Sequence, residues 1–400
     1  MKIHEIITGN FKVPVRGRQQ ILLTEAKARI DHPEDLVFDE GSTGAHRALQ
    51  AIVHAAENPS TTTVKWDGSP AIIFGRDEQG FIVTDKSGFA AKTYDGMARS
   101  STMLRDMLYN RKPDEAGRLQ YSTQLAKLFP MLEKLLPVKF RGFIQGDVMW
   151  MDPLEEHNGV FEIQPNKIKY TIDVGSDLGK KIKKSQAGIV VHSYFSATTE
   201  RTDNTKNESR AMTPSEIESL KTSPGLTVLS PVMQVKTDAF KLPKDDIEKV
   251  EKFIQAKGPA IDRLLDNMTI GSLQISNLSD VFKRFINFKV KQGKNGFIQQ
   301  EFINWLNSPN SKTVVKTDNK LQNVMAHLEK NKAGFDAMFK VANALVNLKY
   351  LLKAQLDDHA NQNNSILATM RGESGHEGFV AGTPHGTIKF VNRPAFMKEE

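Results

Sequence analysis

A lysine between a β-prone run and a glycine-containing loop is the first candidate for chemistry in this sequence. Residues 62–64 lead into Lys65, and Trp66-Asp67-Gly68-Ser69-Pro70 follow it, a pattern that predicts a strand ending beside a pocket. An amine with an ordinary pKa of about 10 is protonated, but neighbouring cations and partial burial lower that pKa and expose a lone pair. Asp67, Gly68 and Ser69 suit a loop that holds a nucleotide. A surface lysine in a β-turn is the alternative.

A second lysine, Lys86, follows the next predicted hairpin. Residues 71–74 and 81–84 predict two strands, and Asp77-Glu78-Gln79-Gly80 is a suitable turn between them. Antiparallel pairing would bring Lys86 near Lys65. Because two close ammonium groups repel each other, this neighbour would help to lower the pKa of the nucleophile.

Three further charged residues lie at the edges of predicted strands: Asp147, Glu377 and Lys389. Together with the two lysines they supply what nucleotidyl transfer requires. A lysine attacks the α-phosphate, carboxylates hold Mg²⁺, and further lysines neutralise the triphosphate. Taken singly, each has a simpler explanation, as a turn carboxylate or as a solubilising charge on an edge strand.

The elements that must position these residues predict an α+β fold. Helical periodicity dominates residues 118–135 and about 243–366, and strand patterns dominate residues 138–195. The hairpin predicted over residues 375–391 needs a sheet to join, since an isolated hairpin is marginally stable, and we expect it to join the sheet that carries Lys65. The predicted domains are an N-terminal extension packing on the core (1–60), the core (61–240), an inserted all-α module with possible nucleic-acid binding (241–370) and a hairpin that completes the core (371–400).

Composition excludes several classes of site. The chain of 400 residues has no cysteine, which excludes disulfides, thiolate metal sites and a cysteine nucleophile. It has no apolar run of about 18 residues and no apolar core of a signal peptide near its start, so we expect no membrane association and a cytoplasmic location. A net charge of +7 and a pI near 9.2 favour a polyanionic partner. A basic protein without a nucleic-acid role is the alternative.

Several of these motifs, in this order, resemble those of the covalent nucleotidyltransferases, the superfamily of polynucleotide ligases and mRNA capping enzymes. Lys65-Trp66-Asp67-Gly68-Ser69 resembles the adenylated-lysine motif, and Asp85-Lys86-Ser87-Gly88 the motif that follows it in bacteriophage RNA ligases. Gln145-Gly146-Asp147-Val148 is similar to the third motif, and residues 190–195 to the strand that stacks on the purine. His376-Glu377-Gly378-Phe379-Val380-Ala381 and Ile388-Lys389-Phe390-Val391 resemble the last two motifs. The chain also resembles a family of proteins of large tailed phages.

The resemblance implies an antiparallel-sheet adenylation core, ATP and Mg²⁺ as cofactors, and a monomeric RNA ligase acting in the host cytoplasm if phage-encoded. Lys65 would carry AMP, Lys86 would contact the phosphates and Lys389 would drive adenylation. The Mg²⁺ ligands would be Asp147 and Glu377. The residues implied in nucleotide binding are Val64, Asp67, Gly68, Ser69, Asp147, His192, Tyr194, Glu377, Gly378 and Lys389.

Two positions depart from the family pattern. Asp147 stands where glutamate is usual, so its carboxylate is one methylene shorter, and Val391 stands where a second lysine is often found. RNA is preferred to DNA because the motifs and their spacing are closer to phage RNA ligases and no OB-fold pattern follows the core. A DNA ligase, a capping-type transferase, a nucleotidyltransferase acting on a protein or small molecule, and a non-catalytic phage structural protein remain alternatives.

Overall fold

The computed structural model describes residues 30–90, 97–196, 209–229, 239–266, 273, 275, 277–363, 366–370 and 373–397. They form two compact units. The first, called the sheet unit, comprises the described parts of Trp66–Val232 and Asn364–His376. The second, called the helical unit, comprises the described parts of Ile30–Lys65, Met233–Asn363 and Glu377–Glu400.

A six-stranded sheet is the centre of the sheet unit. Its strands are β2 (Ala71–Asp77), β3 (Gly80–Asp85), β4 (Gly142–Trp150), β8 (Ala187–Phe195), β9 (Ser209–Ala211) and β10 (Leu226–Leu229). All neighbouring pairs are antiparallel except β8 with β10. The hairpin predicted around the turn Asp77 to Gly80 is confirmed, since Asp77 pairs with Gly80 and Ile72 with Asp85.

Helices cover one face of this sheet. The helices of the unit are α2 (Lys86–Ala90), α3 (Ser101–Asn110), α4 (Arg118–Leu135), α5 (Asp177–Ile182) and α6 (Pro214–Glu218). Leucines of α3 and α4 pack with Ile72, Ile144 and Val191 of the strands, so apolar burial fixes this face against the helices. Ile73, Ile82, Phe143 and Phe195 form a smaller apolar cluster, and the alternation of strand residues assigns it to the opposite face.

A second sheet in the same unit has five strands: β5 (Glu156–His157), β6 (Val160–Ile163), β7 (Lys169–Asp173), β11 (Ile366–Met370) and β12 (Glu373–Ser374). Strands β6 and β7 form an antiparallel hairpin. Strand β11 pairs antiparallel with β7, whereas the sequence analysis assigned residues 366–370 to the helical module. Sequence pattern cannot show this pairing, because the two strands are separated by nearly the whole helical segment.

The helical unit contains α1 (Pro33–Glu57), α7 (Lys244–Leu264), α8 (Leu278–Lys291), α9 (Gln299–Leu306), α10 (Asp318–Lys330), α11 (Lys332–Asn363) and α12 (Arg393–Met397). Short 3₁₀ turns lie at Pro59–Thr61 and Pro309–Ser311. Phe38 of α1 contacts the rings of Phe282, Phe297 and Phe339. The first described helix therefore supplies part of the core of this unit.

The helical unit also contains a three-stranded antiparallel sheet. Its strands are β1 (Thr62–Lys65), β13 (Gly378–Thr383) and β14 (Gly386–Val391), in the order β1-β13-β14. The predicted C-terminal hairpin therefore exists, and its partner is the strand that ends in Lys65. Val64, Phe379 and Phe390 lie opposite one another and are buried, which anchors the sheet on an apolar face.

The α+β class with antiparallel sheets is confirmed. The division of the chain differs from the four predicted segments, because residues 30–65 and the C-terminal hairpin group with the helices. The physical reason is the aromatic core just described and the pairing of β1 with β13. Of the predicted extension 1–60, residues 1–29 lie outside the described residues. Within the described part of the chain, every helix lacks an apolar stretch of the length that a bilayer requires.

Candidate functional site

Lys65 and Glu377 form an ion pair in the helical unit. They are separated by 312 residues in the chain, and the Nζ atom of Lys65 donates a hydrogen bond to Oε2 of Glu377. The pairing of β1 with β13 positions them, since Lys65 lies opposite Gly378 and Glu377 directly precedes that glycine. The carboxylate is 8% exposed and the lysine side chain 35% exposed. About a third of the lysine side chain is therefore open to solvent, whereas its partner is almost enclosed.

Lys389 shares a sheet face with Lys65. Thr63, Val380 and Lys389 form one row across the three strands, and Lys65, Gly378 and Val391 form the next row on the same face. At ordinary strand spacing and rise, the Cα atoms of Lys65 and Lys389 are about 12 Å apart. The sheet therefore presents two cations on one face, with Val391 in the row of Lys65.

Val64 lies on the other face of this sheet. It is 8% exposed and stands opposite Phe379, so its side chain packs in the core of the helical unit. The sequence analysis assigned Val64 to nucleotide binding. Since side chains alternate along a strand, a residue next to Lys65 points away from the face that carries the lysine.

Asp67 is a buried anchor of the loop that follows Lys65. Its carboxylate accepts hydrogen bonds from Nδ2 of Asn166 at 2.8 Å and from the backbone N–H groups of Lys167 at 2.7 Å and Ile168 at 3.0 Å. Its own N–H donates to the hydroxyl of Tyr170 at 2.7 Å. The side chain is 4% exposed. Asp67 therefore fixes the loop on the β6–β7 turn, whereas the sequence analysis assigned it to nucleotide binding.

Gly68 and Ser69 attach the same loop to β4. The backbone N–H of Ser69 donates to the carbonyl of Val148 at 2.9 Å. A Cβ atom on Gly68 would lie 2.6 Å from Cβ of Asp147 and 2.9 Å from Sδ of Met149, so a side chain does not fit here. The side chain of Ser69 is exposed and remains free to meet a ligand. The third predicted motif is thus in direct contact with the first loop.

Asp147 and His192 meet on the sheet face opposite the helices. Oδ2 of Asp147 lies 3.5 Å from Nε2 of His192, whose Nδ1 atom is 2.8 Å from the hydroxyl of Ser193. The register of β4 and β8 shifts between Gln145 and Gly146, which makes His192 an extra, bulged residue. A bulge changes the direction in which a side chain points, and here it brings the imidazole of His192 to the carboxylate of Asp147.

Tyr194 belongs to the helix-packed face. Its hydroxyl donates to the carbonyl of Arg141 at 3.0 Å, and its ring lies 6.2 Å from that of Phe140 and 4.8 Å from the guanidinium of Arg210. Burial raises the pKa of the phenol. The sequence analysis assigned both His192 and Tyr194 to nucleotide binding. The structure separates them, because the bulge changes the alternation and turns Tyr194 towards the core.

Lys86 is the exposed first residue of α2. The preceding Asp85 forms an ion pair with Arg111 and accepts the backbone N–H of Gly88 at 2.8 Å. The hairpin of β2 and β3 does not contain Lys65, because β1 pairs with β13 instead. The predicted pairing of Lys86 with Lys65 across that hairpin is therefore replaced by the pairing of Lys65 with Glu377.

The two predicted metal ligands each have another partner, His192 for Asp147 and Lys65 for Glu377. Over the ranges that the structure describes, no three His, Asp or Glu side chains gather closely enough to hold a metal ion. Mg²⁺ is commonly bound through one or two carboxylates, with phosphate oxygens and waters completing its shell. Either carboxylate by itself therefore fits a Mg²⁺ ion that arrives with a nucleotide.

Comparison with known proteins identifies the family of this chain. Residues 28–400 match a family of unknown function, DUF6267. The chain belongs to this family. No curated protein and no solved structure matches the chain.

The sequence analysis missed a buried charge cluster in the helical unit. Lys349 of α11 donates to Glu34 of α1 at 2.6 Å, and Arg393 forms ion pairs with both Glu34 and Asp35. Lys349 is fully buried and Glu34 is 2% exposed. The only sequence signal was two acidic residues in the first turn of a helix, which usually complement its dipole at the surface. Their partners are more than three hundred positions away, beyond any pattern of spacing.

Proposed function

We propose that this protein is an ATP-dependent RNA ligase that works through a lysyl-AMP intermediate on Lys65. The observation that supports the proposal is the contact between Lys65 and Glu377, with Lys389 on the same sheet face. These residues belong to the first motif and to the last two motifs of the resemblance. Strand pairing within one unit gathers them, as a shared site for the α-phosphate of ATP requires.

Adenylation requires Lys65 to lose a proton first, because an ammonium group has no lone pair. Glu377 contacts Nζ directly, so its carboxylate is the group in position to accept that proton. The neutral amine then attacks the α-phosphorus of ATP, forming a nitrogen–phosphorus bond. The bond from this phosphorus to the bridging oxygen breaks, and pyrophosphate leaves. Negative charge grows on the leaving oxygens, and Lys389 supplies a cation on the same face.

Two further transfers complete the ligation. An oxygen of an RNA 5′-phosphate attacks the phosphorus of lysyl-AMP, and Lys65 leaves as the amine and regains a proton. The 3′-hydroxyl of the second RNA end then attacks the activated 5′-phosphate, and AMP leaves. Mg²⁺, held through Glu377, would neutralise phosphate charge in these steps. A covalent intermediate separates two demanding reactions in time.

A second candidate is supported by Val391. An apolar, 5% exposed residue stands in the row of Lys65, where the resemblance expects a second lysine. One cation fewer for the triphosphate favours a non-catalytic phage structural protein that retains the fold. This candidate and the ligase differ in whether Lys65 becomes labelled.

The test is covalent labelling. The purified chain is incubated with Mg²⁺ and ATP or GTP labelled at the α-phosphate, and the denatured protein is examined for label. We expect label from ATP that is lost in Lys65→Ala. Lys169→Ala, which removes a half-exposed lysine paired with Glu162 on the sheet unit, is the matched control and should label as the wild type does. Absence of label with both nucleotides contradicts the proposal.

An assay of nucleic-acid joining identifies the substrate. Labelled protein is mixed with RNA and DNA of the same sequence that carry 5′-phosphate and 3′-hydroxyl ends, as single strands and as nicked duplexes. Joining of RNA in preference to DNA is the expected result. Joining of DNA alone indicates a DNA ligase. Label on Lys65 without joining of any strand indicates a transferase that acts on a protein or a small molecule.

A further inference from the structure

The positive charge of the chain is concentrated in one part of the helical unit. Residues 281–332 contain ten lysines and arginines but only three acidic residues. Their excess of seven equals the net charge of +7 of the whole chain. The rest of the protein therefore has a net charge of about zero, and a polyanion would be attracted to this segment.

Four lysines between residues 291 and 316 are available to such a partner. Lys283, Lys289 and Lys332 have carboxylate partners in Asp39, Glu301 and Glu329. By contrast, Lys291, Lys294, Lys312 and Lys316 are exposed, and none of them forms an ion pair with any residue that the structure describes. Exposed cations without a carboxylate partner are the groups that contact phosphates.

An aromatic cavity of about 270 Å³ lies among the same residues. Phe285, Phe288 and Trp305 contribute rings to its lining, and the Phe285 and Trp305 centroids are 5.7 Å apart. Asn304 and Asn310 contribute amide groups to the lining. A nucleobase requires these two features, an aromatic face for stacking and donors and acceptors for its edge.

Three of these lysines lie in or next to the lining of this cavity. Lys294 is part of its lining, Lys291 precedes the lining residue Gln292, and Lys312 follows Asn310 by two positions. Two residues of extended chain span at most about 7 Å, so these ammonium groups lie within reach of phosphates on either side of a bound base. Lys289 also lines the cavity, but Glu301 neutralises it.

We propose that this cavity and the lysines 291, 294 and 312 form a binding site for single-stranded nucleic acid, with one base held in the cavity. An apolar peptide would leave these cations without partners, and a duplex would not present a free base. The proposed ligation supplies a use for the bound strand, and the inference rests on it only in that respect. Binding itself requires neither ATP nor Lys65.

The experiment is fluorescence anisotropy of labelled oligonucleotides of about twelve nucleotides, RNA and DNA of the same sequence, with the full chain and without ATP. We expect the triple variant K291A/K294A/K312A to bind at least tenfold more weakly than the wild type. The slope of log K against log salt should fall by about two, since each phosphate contact to a single strand contributes about 0.7. The matched control is K241A/K244A/K257A, which removes three exposed lysines outside the segment and should bind as the wild type does.

A second variant tests the base. Phe288→Leu keeps an apolar side chain but removes the aromatic face, and we expect about tenfold weaker binding with an unchanged salt slope. The site is overturned if the wild type binds neither oligonucleotide at low salt, if both triple variants weaken binding equally, or if Phe288→Leu binds like the wild type. Covalent labelling of Lys65 would be unaffected by those results, and binding would persist if the labelling failed, so the two proposals fail separately.

Discussion

At the scale of single residues, Lys65 and Asp67 are two positions apart and have different partners. The ammonium of Lys65 contacts Glu377 and keeps a third of its side chain exposed, whereas the carboxylate of Asp67 is buried and accepts three hydrogen bonds. The same short motif therefore contains a partly exposed amine and the carboxylate that holds the loop. We expect substitutions at the two positions to separate activity from stability.

Replacement of Asp67 by asparagine tests the anchoring role. The amide retains the shape but turns an NH₂ group towards donors from the β6–β7 turn, so buried N–H groups lose their acceptor. We expect the free energy of unfolding to fall by about 2–3 kcal/mol in a urea titration. Asp177→Asn, whose carboxylate is 99% exposed, is the control and should change stability by less than about 0.5 kcal/mol. Equal stability of Asp67→Asn and the wild type would argue against anchoring.

Replacement of Glu377 by glutamine tests proton acceptance. The amide fills the same space beside Nζ of Lys65 but cannot take up a proton at neutral pH. We expect the initial rate of covalent labelling to fall about 100-fold, within the range of general-base contributions, with the fold retained in circular dichroism. Glu162→Gln, at an exposed ion pair with Lys169, should leave the rate unchanged. A wild-type rate in Glu377→Gln would assign the proton to another acceptor.

At the scale of elements, the three-stranded sheet joins β1 to the C-terminal hairpin, although Lys65 and Glu377 are 312 residues apart in the chain. The pairing of the C-terminal hairpin with the strand of Lys65 could be predicted, because a lone hairpin is unstable and β1 offers an edge. The burial of Val64 follows from strand alternation, although the motif resemblance suggested otherwise. The bulge at His192 and the close contact of Gly68 with Asp147 could not be predicted. They depend on backbone distances that residue types do not encode.

Two glycines of β13 give a matched test of this sheet. A Cβ atom on Gly378 would lie 2.3 Å from the carbonyl oxygen of Phe390 and 2.7 Å from Cγ2 of Val391, whereas one on Gly382 would have nothing within 4 Å. We expect Gly378→Ala to destabilise the protein by about 1–3 kcal/mol, and Gly382→Ala to change stability by less than about 0.5 kcal/mol. Urea titrations of both variants make the comparison, and equal stabilities would show that β14 can move away from β13.

At the scale of the whole molecule, the helical unit is assembled from three separated stretches of the chain. The sequence analysis predicted the helices of this unit from apolar periodicity. It did not predict that α1 belongs to the unit, because an amphipathic helix face does not show which element it packs against. The buried charges join the same three stretches, with Glu34 and Asp35 in the first, Lys349 in the second and Arg393 in the third. Loss of one charge should therefore loosen the unit as a whole.

Two variants compare removal of one charge with removal of a pair. Glu34→Leu leaves Lys349 fully buried without its hydrogen-bond partner, and we expect it to cost about 3–5 kcal/mol at pH 7. Glu34→Leu/Lys349→Met removes both charges and leaves Arg393 with Asp35, so we expect it to cost less than the single substitution. Urea unfolding followed by helical circular dichroism gives both values. A double variant that is less stable than Glu34→Leu would contradict the account of an uncompensated charge.

The pH dependence of the same variants provides the last test. Burial by itself raises the pKa of Glu34, but Lys349 and Arg393 outweigh it and hold the pKa below its ordinary value of 4.5. A carboxyl group whose pKa is lower in the folded state stabilises the protein above the unfolded-state pKa, and this contribution is lost as the pH falls. We therefore expect the wild type to lose more stability between pH 6 and pH 3.5 than the double variant does. Parallel losses would mean that other carboxylates account for the acid sensitivity and that Glu34 keeps its proton affinity on folding.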